Sequence, residues 1–272
     1  MSEKLLKPDE ESLEHPSFSS RIKEQSIDFF IHMANATEYL KLVFKNSVTR
    51  KFEFQEFLKQ CYQMGNKSVG LISVTGIIIG LVLTIQSRPP LVQFGAVAML
   101  PGMVAISIIR EMGPVITALI CAGKIGSSMG AELGSMRVSE QIDAMEVSNT
   151  HPINFLVIPR VFAAITMIPL LTLYADAIGI FGSWLGINLK DDMSFRLFLN
   201  QAFANLEFMD IVPAVIKTLF FGAVIGLVGC YKGYNAGRGT ESVGIAANSA
   251  VVTSSLLLII VDLIAVQITD LL

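Results

Sequence analysis

The sequence predicts an all-α integral membrane protein: an N-terminal interfacial helix, five transmembrane helices, and a short cytoplasmic helix between the second and third of them. Three observations carry that prediction. The 272 residues are 52% hydrophobic and only 16% charged, with a mean hydropathy of +0.59. A water-soluble domain of this length could not cover such a balance with polar surface. Apolar windows of about 20 residues, the length that crosses a hydrocarbon core of about 30 Å, recur near 68–86, 94–122, 153–185, 211–232 and 249–269. Charge is segregated as well, with ten of the twenty Lys and Arg residues in the first 67 positions.

Residues 1–19 are polar and acidic, without the apolar core and small-residue cleavage site of a signal peptide, and are expected to form a cytoplasmic tail. Their acidity is also unlike an organellar transit peptide, which favours a bacterial inner membrane over a plastid one. Residues 20–66 read as interfacial or elbow helices. There Ile27, Phe29, Phe30, Met33, Leu40, Val43 and Phe44 alternate with Lys and Arg too often for a bilayer crossing. Such a pattern suits a helix lying in the head-group plane, or a soluble helix packed on a cytoplasmic partner. Residues 67–272 then form one transmembrane domain.

The second span is interrupted by Arg110 and Glu111, and both it and the third are long enough to tilt or to extend beyond the bilayer. Outside the spans, fifteen Lys and Arg fall on the side of the N-terminus, Lys124, Arg137, Arg160, Lys232 and Arg238, against Arg88, Lys190 and Arg196 on the other. That asymmetry puts the N-terminus in the cytoplasm and, with five spans, the C-terminus in the periplasm. Glycines recur at helical spacing, as at Gly76 and Gly80, Gly182 and Gly186, Gly222 and Gly226, and Gly229 and Gly233. This spacing predicts close helix packing. Cys61, Cys121 and Cys230 lack metal-ligand or CxxC spacing and read as reduced thiols. No metal site is implied.

Several function classes are disfavoured. A net charge of −3 without a basic stripe argues against a nucleic-acid partner. The run Gly126-Ser127-Ser128-Met129-Gly130 matches a nucleophile elbow formally. The three histidines (His15, His32, His151) lie outside the spans, however, and small-residue helix packing explains the match better. There is no GxxxxGK[ST] loop, so ATP-driven transport would need an ATPase on another subunit.

The stretch AELGSMRVSEQIDAMEVSNTHPINFLVIPR, Ala131 to Arg160, lies on the predicted cytoplasmic side. A helix over about 134–148 would place Val138, Ile142 and Met145 on one face and Glu140 and Asp143 on another, ended by His151-Pro152. An apolar stripe on a connecting helix implies docking, either into a partner's groove or onto its own bundle.

EQIDAM at Glu140–Met145, with GAELGSMRV before it and HP and PRV after it, resembles the signature loop of the MlaE permease family, whose usual form reads EQIDAL. REMGPVITAL from Arg110, the Gln86 end of the first span, KTLFFG from Lys217, GCYKGYNAGRGTESVG from Gly229 and AVVTSSLLLIIVD to Asp262 follow in family order. The resemblance implies an ABC transporter permease moving glycerophospholipids between the inner membrane and a periplasmic MCE-domain carrier. It implies a homodimer with a lipid cavity between the two copies, and cytoplasmic ATPase subunits that bind the ATP and grip a coupling helix at Val138, Glu140, Ile142, Asp143 and Met145.

Ionisable groups at bilayer depth cost roughly 2.5–3.5 kcal/mol each on insertion scales and tend to face protein or a cavity. Arg110, Glu111 and Lys217 are therefore the candidate lipid-binding or translocation residues. Arg110 and Glu111 point about 100° apart on a helix, so each is expected to meet another helix or a head group. Lys217 could contact phosphate or snorkel to the interface. Asp176 and Asp262 read as interhelical hydrogen bonds or span-end positions. The rival reading is an ion-driven secondary transporter of a lipid or other amphiphile with Glu111 or Asp262 as the ion site, although the inverted repeats typical of such carriers are not visible.

Overall fold

The computed structural model describes residues 34–47, 52–204 and 206–271. The expected tail 1–19, the first half of the interfacial segment with Ile27, Phe29, Phe30 and Met33, and the histidines His15 and His32 lie outside the described residues. Contacts divide the chain into two compact units, Met1–Leu42 and Val43–Leu272, and helix α1 (residues 34–47) crosses that boundary. The helices from Phe54 onward belong to the second unit.

Five helices are long and apolar enough to cross a membrane: α2 (Phe54–Gln93), α3 (Val97–Val138), α5 (Ile153–Asn188), α7 (Phe208–Tyr234) and α8 (Thr240–Asp270). Two short helices complete the described fold, α4 (Gln141–Val147) and α6 (Phe195–Phe203). The chain is thus a multi-pass membrane protein with the five spans its hydropathy predicts.

The helices are longer than the apolar windows. The first starts at Phe54, so residues 54–66 continue the first span and do not form a separate elbow. The reason is local: this stretch has no proline or glycine before Gly65, and a helix that is nucleated propagates through such residues at little cost. The lipid-contacting part ends where hydrophobicity does, but the helix ends at a breaker. Here that is Gly95 at φ +70°, two residues past Gln93, while Pro89 and Pro90 lie inside the helix.

Helix α5 is the centre of the bundle. Of its most apolar stretch 67% is buried inside the chain, against 17% for α8, so α8 faces outward while α5 is enclosed. It packs against α2 on one side and α7 on the other, α7 packs on α8, and the second half of α3 packs on α7 and α8. Glycines set these approaches. A β-carbon at Gly222 would sit 2.6 Å from the Ala164 carbonyl and 2.7 Å from the Ile165 Cα. One at Gly80 would overlap the Gly179 carbonyl. In lipid no hydrophobic force drives helix to helix, so backbone contact of this kind supplies the dispersion energy.

Helix α6 was not anticipated. Ser194 caps it by accepting a 3.4 Å bond from Leu197 N–H, and Phe198 and Ala202 are fully buried against Leu100, Val104 and Ile108 of α3 and Ile180 and Ile187 of α5. At nine residues it is far too short to span, and its apolar face reads in sequence as part of a polar loop.

Candidate functional site

Helix α3 is not a regular α-helix. It contains π-helical turns at Ile108–Met112 and Ala122–Gly126, and the first of them holds Arg110 and Glu111. Its origin is in the sequence. Pro114 has no N–H to give the Arg110 carbonyl, so the ladder slips, and Gly113 N–H bonds to the Ile108 carbonyl five residues back. The slip inserts one extra residue into the turn and re-aims the side chains after it.

From this turn the two charged side chains reach different turns of α7. Glu111 Oε2 accepts from Lys217 Nζ of α7 at 2.9 Å, and Asp262 Oδ1 of α8 accepts from the same ammonium at 3.1 Å. Arg110 Nε lies 3.3 Å from Asp210 Oδ1 at the start of α7. The expectation that Arg110 and Glu111 would each contact another helix holds. Lys217 does neither of the two things expected of it: its side chain is 6% exposed and is clasped between two carboxylates, so it neither snorkels nor presents a free charge to lipid. Asp262 makes an interhelical bond, as expected. Asp176 makes none among the described residues; its Oδ1 is buried without a partner there and is pressed against Gly113, where a β-carbon would collide with it.

Ile106, Ser107, Arg110, Glu111, Asp210 and Lys217 line part of a cavity of about 320 Å³. The remaining wall comes from Pro213 and Ala214 of α7 and from the C-terminal end of α8, between Ala265 and Asp270. The five charged groups of the network sum to −1, and their cations are not equivalent. Lys217 has two of its three donors committed. Arg110 is 49% exposed and is met at Nε, with its terminal amino groups unengaged among the described residues. Arg110 is therefore the cation open to a ligand, and Lys217 holds the carboxylates in place.

Asp210 was missed in the sequence because it sits among loop-like residues before the fourth apolar window. A signal was present: Asp210 and Lys217 are seven residues apart, two turns along one helix face. Asp210 also closes a capping box with Glu207, accepting from its N–H at 2.9 Å. The cap fixes the helix start and aims the second oxygen at Arg110.

At the opposite end of the bundle, the expected single helix over 134–148 is broken. Helix α3 runs to Val138, the chain turns through Ser139 and Glu140, and α4 begins at Gln141. Ser139 Oγ donates to the Ser135 carbonyl at 2.7 Å, and Glu140 adopts φ +57°, a left-handed conformation that interrupts the helix. Val138 therefore does not share a helix face with Ile142 and Met145. Ile142 is fully buried, so it anchors α4 on its own bundle, the alternative open at the outset. Asp143 pairs with Arg137, and Glu146 accepts from the Tyr234 hydroxyl at 3.1 Å. The outward face carries Glu140, Ala144 and Val147, the last 89% exposed.

The Gly126–Gly130 run packs as helix contact: a β-carbon on Gly130 would sit 3.1 Å from the Ala247 Cα. Among the described residues no group of three His, Cys, Asp or Glu could hold a metal ion.

The family described as Permease MlaE matches residues 57–268. A probable ABC transporter permease protein from Rickettsia prowazekii is 40% identical over 203 residues, covering 75% of this chain and 78% of that protein. The intermembrane phospholipid transport system permease protein MlaE of Haemophilus influenzae is 32% identical over 253 residues, 91% of this chain and 95% of that one. The chloroplastic protein TRIGALACTOSYLDIACYLGLYCEROL 1 of Arabidopsis thaliana is 35% identical over 214 residues, 79% and 61% respectively.

Proposed function

The chain belongs to the MlaE permease family and is an ABC transporter permease; from that premise we propose that it moves glycerophospholipids through the cavity beside Arg110. The observation that carries the reading is the exposed guanidinium in a 320 Å³ cavity, held at membrane depth by the Asp210 carboxylate at the start of α7. A planar guanidinium can take a phosphate through two parallel bonds, while the acyl chains would lie along the apolar outer faces of α3 and α8. The cavity lies toward the ends where α7 begins and α8 finishes, the periplasmic side in the orientation set by the Lys and Arg asymmetry.

The cytoplasmic ATPase subunits dock on α4 through the rim of Glu140, Ala144 and Val147, with Met145 and Asp143 beside it. Because Ile142 and Asp143 tie α4 to α3, motion imposed on α4 passes into the helix that carries Arg110. Two copies of the chain associate in a bacterial inner membrane, N-termini cytoplasmic and C-termini periplasmic, and hand lipid to or from a periplasmic MCE-domain partner. The weak burial of α8 makes it the helix with most surface to give to a second copy. Ion-driven transport at Glu111 or Asp262 is disfavoured, since both carboxylates are occupied by Lys217.

Photocrosslinking probes at positions 107, 110 and 111, with Val74 on the outward face of α2 as control, test the lipid path. Phospholipid phosphorus bound to the purified protein should appear from the cavity positions above the level from Val74. Arg110→Ala should reduce transport more than Arg110→Lys. Capture at Val74 with none in the cavity would make the charge network a clasp between helices and nothing more.

A further inference from the structure

A second polar cavity, of about 70 Å³, lies between α2 and α3 near the other end of the bundle. One water needs roughly 10–15 Å³ on this kind of measure, so the space holds several waters or one tetrahedral oxyanion. Gln60, Lys67 and Ser68 of α2 and Lys124, Ser128 and Glu132 of α3 contribute to its walls.

Three features separate it from a packing defect. Neither lysine forms an ion pair among the described residues, whereas the carboxylate in the same wall, Glu132, is already paired with the buried Arg160 at 2.8 Å. The local balance is thus positive. The Lys124 ammonium is held in place by donating to the Lys67 carbonyl, which uses one of its three donors. Second, Ser68 is 1% exposed and its hydroxyl has no partner. Lining a polar cavity, this hydroxyl is a donor available to a ligand there. Third, Lys124 sits in the second π-helical turn, Ala122–Gly126, and such turns concentrate at functional positions.

Depth adds the identity of the ligand. From Ser68 to Gln86 a helix rises about 27 Å, close to the thickness of the hydrocarbon core. Lys67 and Ser68 therefore stand at the plane of the lipid phosphates. Lys124 lies about 21 Å along α3 from Arg110, so this is a separate site.

We propose that the cavity binds the phosphate of a phospholipid in the cytoplasmic leaflet, with Lys67 and Lys124 as charged donors and Ser68 as a hydroxyl donor. The leaflet rests on the orientation proposed above. A lipid seated there would bridge α2 and α3 at the end nearer α4, making anionic lipid a structural ligand of the permease rather than its cargo.

The test uses the full chain in nanodiscs of phosphatidylethanolamine and phosphatidylglycerol, with a photocrosslinking residue at Gln63, which also lines the cavity, or at Ser107 in the Arg110 cavity. The Gln63 probe should capture phospholipid. The pair Lys67→Gln with Lys124→Gln should cut that capture at least tenfold, and Ser68→Ala about threefold, with capture at Ser107 preserved. Unchanged capture at Gln63 in both variants overturns the proposal. If the lysine pair loses capture at both positions the fold has been damaged, and Ser68→Ala, which removes a single atom, decides alone. Displacement of lipid from Gln63 by millimolar inorganic phosphate would mean a soluble oxyanion site and would overturn the lipid assignment. Loss of capture at Ser107 in the unaltered protein, with Gln63 retained, counts against the transport path and leaves this site standing.

Discussion

Replacing Lys217 with methionine keeps the length of the side chain and removes the charge that Glu111 and Asp262 share. Breaking a buried pair by deleting one partner costs roughly 3–5 kcal/mol, while exposed pairs are worth only about 0.2–1 kcal/mol. Glu111 is 42% exposed and Asp262 19%. Water reclaims most of Glu111's charge, so its share falls to the exposed range, while Asp262 keeps most of the buried penalty. The expected loss is therefore about 2–4 kcal/mol. Adding Asp262→Asn removes the stranded carboxylate and should restore part of it, with a coupling energy of about 1–3 kcal/mol in the double-mutant cycle. The assay is reversible unfolding of the four proteins in one mixed-micelle system. Lys217→Met within about 0.5 kcal/mol of the unaltered protein, or a cycle that is additive to about 0.3 kcal/mol, would refute the clasp.

Gly222→Val should prevent α7 from seating on α5, since its β-carbon alone lies 2.6 Å from the Ala164 carbonyl; a monodisperse, thermally unchanged variant on size-exclusion chromatography would contradict the packing. Glu140→Arg with Asp143→Arg should detach or uncouple the ATPase, because it reverses charge on the exposed rim of α4 and places a second cation beside Arg137; co-purification with full ATPase activity would remove α4 from the coupling role. Reporter fusions should place Arg137 and Lys232 in the cytoplasm and Lys190 and the C-terminus in the periplasm, and a cytoplasmic C-terminus would mean a miscounted span.

The charged groups show how far pattern reading reaches. Arg110, Glu111, Lys217 and Asp262 stand out in sequence because ionisable residues in apolar windows are costly wherever they point. Their pairing does not, since it depends on the rotation of α3, α7 and α8 about their own axes. Asp210 escaped notice because a carboxylate near a span end carries no such cost. Helix α4 failed differently. Val138, Ile142 and Met145 fit a helical period, but a period assumes a continuous helix, and the left-handed backbone at Glu140 breaks it with a residue that has no special preference for that conformation.

By itself the sequence determined the class of protein, the number of spans and the glycine positions where helices must touch. Each of these follows from free energies that are local and large: the transfer of about 20 apolar residues into lipid, or the exclusion of a side chain from a backbone contact. Only the tertiary structure decided which cation faces the cavity, which is spent on carboxylates, and that Ile142 anchors α4 inward while Val147 faces out. Those outcomes turn on ångström-scale distances between residues 45 to 106 positions apart, set by helix rotation and by the extra residue in the π-helical turn before Pro114.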